Sequence, residues 1–303
     1  MSSTTEHNTT VGVFFVLGAA LLWGTTGTAQ AFAPAGFDPL VIGTLRLVVG
    51  GIALLVLAGS RREIGPPGNW KPLPVFLAAL FTAGYQLCFF AAVARTGVVV
   101  GTIVGIGSSP IAGGILGYLF RGERPGRRWG LATVLAIVGC GLLSLGGGPL
   151  RADPLGILLA LGAGASYAAY TLAIKGLLEQ HSPNAVMAVV VCVGALLLSP
   201  LMVGRDLGWL LQPRALLVVL HLGLATMALS YWLFARGLQR VPIATAVTLS
   251  LAEPMTASLL GIFVLGEVLT PQAFTGIGLI FSGLLMLVLP AGLRLRGKGR
   301  GVL

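Results

Sequence analysis

Two charged residues fall inside long apolar runs, and their types are the ones best suited to chemistry there. Glu253 stands in Leu251-Ala252-Glu253-Pro254 and Arg46 in Thr44-Leu45-Arg46-Leu47. A carboxylate at membrane depth costs about 2.5–3.5 kcal/mol on insertion scales, so it is retained where it faces protein or a wet cavity. There it can serve a cavity, in substrate contact or coupling, or it can pair with helix-end and hydroxyl donors. Pro254 removes one backbone donor and frees a carbonyl one turn earlier, so the Glu-Pro pair marks a locally opened helix. Arg46 sits about a turn and a half into its run and reads as a snorkelling or locally paired cation, with Glu253 only a distant partner. His221 is of the one side-chain type that titrates near neutrality. It is a candidate proton relay, with satisfaction by a backbone carbonyl as the alternative.

Aromatic and hydroxyl side chains form a second set. Trp23 with Thr26 and Tyr167 with Tyr170 repeat one spacing, Tyr85 and Phe89 share a helical face at i, i+4, and Ser230, Tyr231 and Trp232 are consecutive. Aromatics often belong to interfacial belts, but Trp23, Tyr85 and Tyr170 lie well inside their runs, where an indole N–H or a hydroxyl needs a partner. Walls of this kind with few charges suit a zwitterion, or an uncharged polar metabolite with an apolar part. The candidate substrate contacts are Trp23, Thr26, Tyr85, Phe89, Ser109, Tyr167, Tyr170, Ser230, Trp232 and Glu253; the candidate coupling residues are Glu253 and His221. There is no H-E-x-x-H, G-x-S-x-G or nucleotide-binding Gly-rich motif, so the chain does not read as an enzyme. Cys88, Cys140 and Cys192 lie in apolar segments without metal-ligand spacing and read as small buried side chains. No catalytic residue, metal or cofactor is expected.

The elements that hold these residues are membrane helices. Of 303 residues, 56% are hydrophobic and 9% charged, too little polar surface for a water-soluble body. With about 20 apolar residues needed to cross the hydrocarbon core, ten spans emerge: 11–33, 39–59, 72–94, 97–120, 128–147, 154–177, 184–203, 214–236, 242–265 and 272–290. The first lacks a basic leading segment and is longer than a secretory core, so it reads as a retained helix. Fourteen of the 19 Lys and Arg residues fall in the connections after the even-numbered spans and in the tail. Four fall on the other side, namely Arg95, Arg151, Arg205 and Arg214. Basic residues stay cytoplasmic, so both termini are expected inside a bacterial-type inner membrane. This topology also accounts for the net charge of +10 without nucleic acid.

Sliding the chain along itself by 144 positions pairs Gly12 with Gly156, Pro39 with Pro183, Gly50 with Gly194, Phe90 with Phe234, Pro110 with Pro254 and Gly122-Glu123 with Gly266-Glu267. The prolines and the Gly-Glu dipeptides make a real duplication. Five crossings per copy force the second copy to enter from the opposite face, and inverted repeats are a device of secondary transporters. In span 4, Gly97, Gly101, Gly105, Ser109, Gly113 and Gly117 recur every fourth residue, leaving one face nearly bare. Close helix packing is the simplest use of Gly101, Gly105, Gly113, Gly117 and their counterpart Gly261, and a sliding surface between the repeats is the functional alternative. Glu123 and Glu267, each before a turn into the next helix, read as capping residues.

Leu21-Leu22-Trp23-Gly24, Arg46, Ser109-Pro110 through Gly122-Glu123, and Leu251-Ala252-Glu253-Pro254 through Gly266-Glu267 together resemble the EamA family of the drug/metabolite transporter superfamily, over nearly the whole chain. Within it the chain looks most like the YddG-type exporters of aromatic and other neutral amino acids. The resemblance implies an all-α basket of ten helices in two inverted five-helix repeats. It also implies a central cavity lined by helices 1, 3, 4, 6, 8 and 9, with both termini inside. The expected organisation is a tail at 1–10, a first repeat at 11–147, a linker at 148–153, a second repeat at 154–290 and a basic tail at 291–303. The expected activity is alternating-access export of amino acids or related metabolites. Transport of another metabolite or drug, in either direction, is the alternative, and a scaffold or membrane enzyme is the reading from a different class. The expected partners are a small-molecule substrate and membrane lipid, with no nucleic acid, and the expected assembly is a monomer.

Overall fold

The structure, a computed structural model, describes residues 2–145, 153–268 and 270–289. Residues 148–152 of the expected linker and the basic tail at 291–303 lie outside the described residues, as do Arg151 and the four basic residues of that tail. Ten membrane-length helices are present among the described residues. They are α1 Asn8–Ala31, α2 Leu40–Ser60, α3 Pro72–Gly97, α4 Val100–Arg121, α5 Arg127–Ser144, α6 Pro154–Leu177, α7 Pro183–Met202, α8 Pro213–Leu238, α9 Ile243–Leu265 and α10 Pro271–Val288. The helical run of α1 continues back to Ser2, so the expected tail is an extension of the helix. Lengthening an existing helix avoids the cost of a new nucleus.

Helix starts follow from a repeated cap-and-proline signal. Asp38 accepts from the Leu40 N–H at 2.8 Å, and its repeat counterpart Ser182 accepts from the Ala185 N–H at 3.2 Å, each followed by a proline. Asp153 and Thr270 cap α6 and α10 in the same way. Such side chains satisfy donors that have no partner within the helix. The N–H groups of Gly156 and Leu155, helped by Arg95, hold the Asp153 carboxyl below its ordinary value. Gly122 and Gly266 end α4 and α9 in the left-handed region, with φ of 64° and 71°. The next residues, Glu123 and Glu267, close each end by donating their N–H to Gly117 and Gly261, both at 3.0 Å.

Packing repeats the internal symmetry. Helix α1 packs on α8 and α9, and its counterpart α6 packs on α3 and α4. Two further pairs, α2 with α7 and α5 with α10, join equivalent helices of the two halves. Small residues make these crossings close. A methyl group at Gly12 would come within 2.6 Å of Arg240 just past the end of α8, and one at Gly156 within 2.4 Å of Thr96 in the last turn of α3. Because Gly12 and Gly156 begin their helices, the two crossings lie at opposite ends of the bundle, as inverted copies require. Large apolar side chains such as Phe120, Leu196 and Phe263 point outward, where lipid covers them without penalty.

The glycine stripe of α4 serves several neighbours. Gly101 faces Val93 of its own hairpin, Gly105 lies over Phe89 and Ala160, and Gly113 faces Val247 of α9. Gly117 and Gly261 each leave room for the side chain of the glutamate six residues on. The stripe is therefore not a single sliding surface, because successive glycines meet α3, α6, α9 and a loop carboxylate.

Candidate functional site

A cavity of about 660 Å³ lies at the middle of the bundle and extends toward the end where α1 and α3 finish. Helix α1 contributes Trp23, Thr26 and Gln30, α3 contributes Thr82, Tyr85, Gln86, Phe89 and Val93, and α6 contributes Tyr167 and Tyr170. Ile106 comes from α4, Tyr231 from α8 and Glu253 with Pro254 from α9. Arg46 adds α2 to the helices that the resemblance implied.

The walls are a connected aromatic array. Trp23 meets Tyr231 edge-on at 5.4 Å between centroids, and Tyr231 is 6.3 Å from Tyr170. Tyr170 lies 5.3 Å from Tyr167, which lies 5.5 Å from Tyr85, and Tyr85 stacks on Phe89 at 5.9 Å. Phe234, fully buried, backs this array against Trp23 and Tyr170. Several buried polar atoms of the cavity wall have no hydrogen-bond partner among the described residues: the Trp23 indole Nε1, the Thr26 hydroxyl and the Tyr170 hydroxyl. Each is a donor whose burial is costly until a ligand or solvent meets it.

The local break at Glu253 follows from Pro254. Helix α9 consists of two pieces, Ile243–Leu249 and Ala252–Leu265, separated at Ser250 and Leu251. The carbonyl of Ser250, which Pro254 cannot use, takes a tighter bond from the Glu253 N–H at 2.9 Å. Glu253 thus stands at the opening of the second piece, facing the cavity. A narrow recess of about 20 Å³ continues beside it, lined by Ser109, Ser250, Leu251 and Val247. Ser109 occupies the position in α4 equivalent to Glu253 and bonds back to the Gly105 carbonyl at 3.0 Å. With that bond made, α4 passes Pro110 as one helix.

Seven of the expected contacts, Trp23, Thr26, Tyr85, Phe89, Tyr167, Tyr170 and Glu253, line the cavity together, and Ser109 borders its recess. Two do not. Ser230 is fully buried and donates to the Thr226 carbonyl at 2.7 Å, and Trp232 donates its indole N–H to Asn184 at 2.5 Å while Arg236 covers its ring. Tyr231, between them, faces the cavity. Neighbours along a helix do not share a face, so the turn that presents Tyr231 carries neither Ser230 nor Trp232 to the cavity, and the π-helical stretch His221–Leu229 precedes all three. His221 is also corrected: it is exposed on the outer surface, with Nε2 2.9 Å from the Thr25 hydroxyl, and does not meet Glu253. Arg46, read from sequence as snorkelling, lines the cavity instead, and its Nε has no partner. The polar and aromatic wall residues that sequence reasoning did not assign to the site are Gln30, Arg46, Thr82, Gln86 and Tyr231. Of these, Arg46, as the second charge inside a span, and Tyr231, in the aromatic set between Ser230 and Trp232, carried a signal.

The opposite end of the bundle is closed. Glu123 accepts from Lys175 Nζ at 3.0 Å and from the Ile243 N–H at 2.8 Å, and Lys175 also donates to the Val241 carbonyl at 2.6 Å. Glu123 thus caps a helix of the other repeat, which corrects the expectation that it caps the next helix in its own. Arg121 pairs with Glu179 nearby and holds that carboxyl below its ordinary value.

The EamA-like transporter family matches residues 10–145 and again residues 154–289. The chain is 49% identical to the uncharacterized transporter YwfM of Bacillus subtilis, over 90% of this chain and 92% of that protein. It is 30% identical to the threonine/homoserine exporter RhtA of Escherichia coli, over 89% of this chain and 88% of the other. A solved structure at 19% identity superposes with a TM-score of 0.77, over 91% of this chain and 95% of that one, and shares the fold. Two family matches in tandem, on two inverted halves that enclose one cavity, make this chain a multi-pass membrane transporter that belongs to the EamA-like transporter family.

Proposed function

We propose that the protein is a secondary transporter that exports amino acids, aromatic and other neutral ones, or closely related small metabolites, by alternating access. The observation that carries this reading is the central cavity, whose aromatic walls include one cationic and one anionic side chain and several unpartnered donors. A net-neutral polar molecule with an apolar part is the cargo that such a chamber fits best. The likeness to a threonine/homoserine exporter supports the same class. Trp23, Thr26, Tyr85, Phe89, Tyr167, Tyr170 and Glu253 are the proposed substrate contacts, with Ser109 bordering the recess beside Glu253. The protein works as a monomer in the plasma membrane.

The closed end carries Arg121, Lys175, Arg236 and Arg240, so by the distribution of basic residues it is the cytoplasmic end. The cavity then faces outward, with both termini inside. Alternating access follows from exchanging the shapes of the two halves around the shared site.

Purified protein in proteoliposomes loaded with unlabelled amino acid is expected to take up the same amino acid, labelled, by counterflow. Threonine, homoserine, phenylalanine and leucine form a first panel. Absence of counterflow for every neutral amino acid, with protein that remains folded, overturns the assignment.

A further inference from the structure

Arg46 and Glu253 are the only charged side chains that line the cavity among the described residues. They lie within Coulombic reach of one another, and of Tyr85 and Tyr231. Yet the ion pairs among the described residues are Arg95–Asp153, Arg121–Glu179, Lys175–Glu123 and Arg205–Asp38; none joins these two. Nor, among the described residues, does a donor hydrogen-bond the Glu253 carboxylate, and the Arg46 Nε is buried without an acceptor. A structural pair would close to direct contact, because two separated charges at membrane depth are each costly. Two opposite charges held apart across one chamber instead match a ligand that carries both charges itself.

We infer that Arg46 and Glu253 are the two poles of a zwitterion site, Arg46 taking the α-carboxylate and Glu253 the α-ammonium of a free amino acid, with its side chain against the aromatic walls. This deepens the amino-acid reading and rests on it. The Trp23 indole N–H and the Tyr170 hydroxyl, buried donors without partners, are available to the ligand's carboxylate or side chain. The site as a whole is neutral, so the loaded cavity is neutral as well. A ligand with a single charge leaves one pole unpaired in a low-dielectric chamber, and charge-assisted bonds are the strong ones to lose. The pair therefore selects on the backbone of the amino acid, while the aromatic array tolerates different side chains.

The test is competition against counterflow of one labelled amino acid, with wild-type protein in proteoliposomes. The competitors share one side chain: the free amino acid, its amide (cation only), its N-acetyl derivative (anion only) and the decarboxylated amine. The free amino acid is expected to compete roughly tenfold or more better than each of the other three, since a site built for a polar group rejects analogues that lack it. Glu253→Gln is expected to narrow the gap to the N-acetyl derivative alone, and Arg46→Gln the gap to the amide and the amine alone. Equal competition by all four on wild-type protein, with counterflow intact, overturns the zwitterion site and leaves the exporter assignment standing. So does an equal loss of every competitor in both variants, which is what a structural role produces. Counterflow of no amino acid overturns the exporter assignment first.

Discussion

The Glu123 carboxylate, at the end of α4 in the first repeat, accepts a hydrogen bond from the backbone N–H of Ile243, the first residue of α9 in the second, at 2.8 Å. Its other oxygen takes the Lys175 ammonium at 3.0 Å, and both partners of that ion pair are largely shielded from solvent. One side chain thereby ties three helices together at the closed end.

Glu123→Ala is expected to destabilise the protein by about 1–3 kcal/mol, the cost of leaving a shielded donor unsatisfied. Glu123→Gln, which keeps an acceptor oxygen, should recover part of that loss. Glu179→Ala breaks an ion pair with a more exposed carboxylate and should stay within about 1 kcal/mol. Unfolding equilibria in mixed micelles compare the three; equal effects for Glu123→Ala and Glu179→Ala would refute the ranking.

Tyr231 and Trp232 are adjacent but have separate roles. Tyr231→Ala should raise the KM for transport by roughly three- to tenfold, from the loss of about 0.5–1.5 kcal/mol of ring contact. Trp232→Phe strands the buried Asn184 and should cost about 1–3 kcal/mol of stability with KM unchanged. Initial-rate counterflow and thermal unfolding of both variants check the division. A KM change in Trp232→Phe without loss of stability contradicts it.

His181, in the connection after α6, stacks on Trp70 with ring centroids 3.8 Å apart and planes 6° from parallel. Desolvation pushes its pKa below the ordinary histidine value, so as the pH falls the unfolded chain takes up the proton first. The stabilisation from the neutral, stacked ring is complete above about 6.5 and is lost as pH falls through the folded value. His181→Phe keeps the stack without the titration. Its melting temperature should fall less than that of the wild type between pH 7.5 and 5, and identical slopes would count against this role.

Fold class was readable because membrane crossing imposes a length and a composition that nothing else in the chain imitates, and because Pro110 with Pro254 and Gly122-Glu123 with Gly266-Glu267 keep one offset. The aromatic walls were readable as well, since Trp23, Tyr85, Tyr167 and Tyr170 lie deep in their runs. Arg46 was not: depth along a helix says nothing about which way a residue faces, and α2 offers no other polar residue on that face to give the direction away. Tyr231 was visible beside Ser230 and Trp232, but which of the three faces the chamber depends on a departure from 3.6-residue periodicity that no residue type announces. The glycine stripe of α4 was visible, but its division among four neighbours depends on tertiary packing.

The π-helical stretch of α8 has no match in α3, its partner by descent, where an unbroken helix presents Tyr85 to the chamber. The position in α8 equivalent to Tyr85 is Leu229, which points outward, and Tyr231 serves two residues later. Handing each half the other's posture therefore cannot reproduce the same chamber seen from the far side. Under the proposed alternating-access cycle, the vestibule open to the other face of the membrane is furnished differently, and the grip on the cargo differs between the two faces.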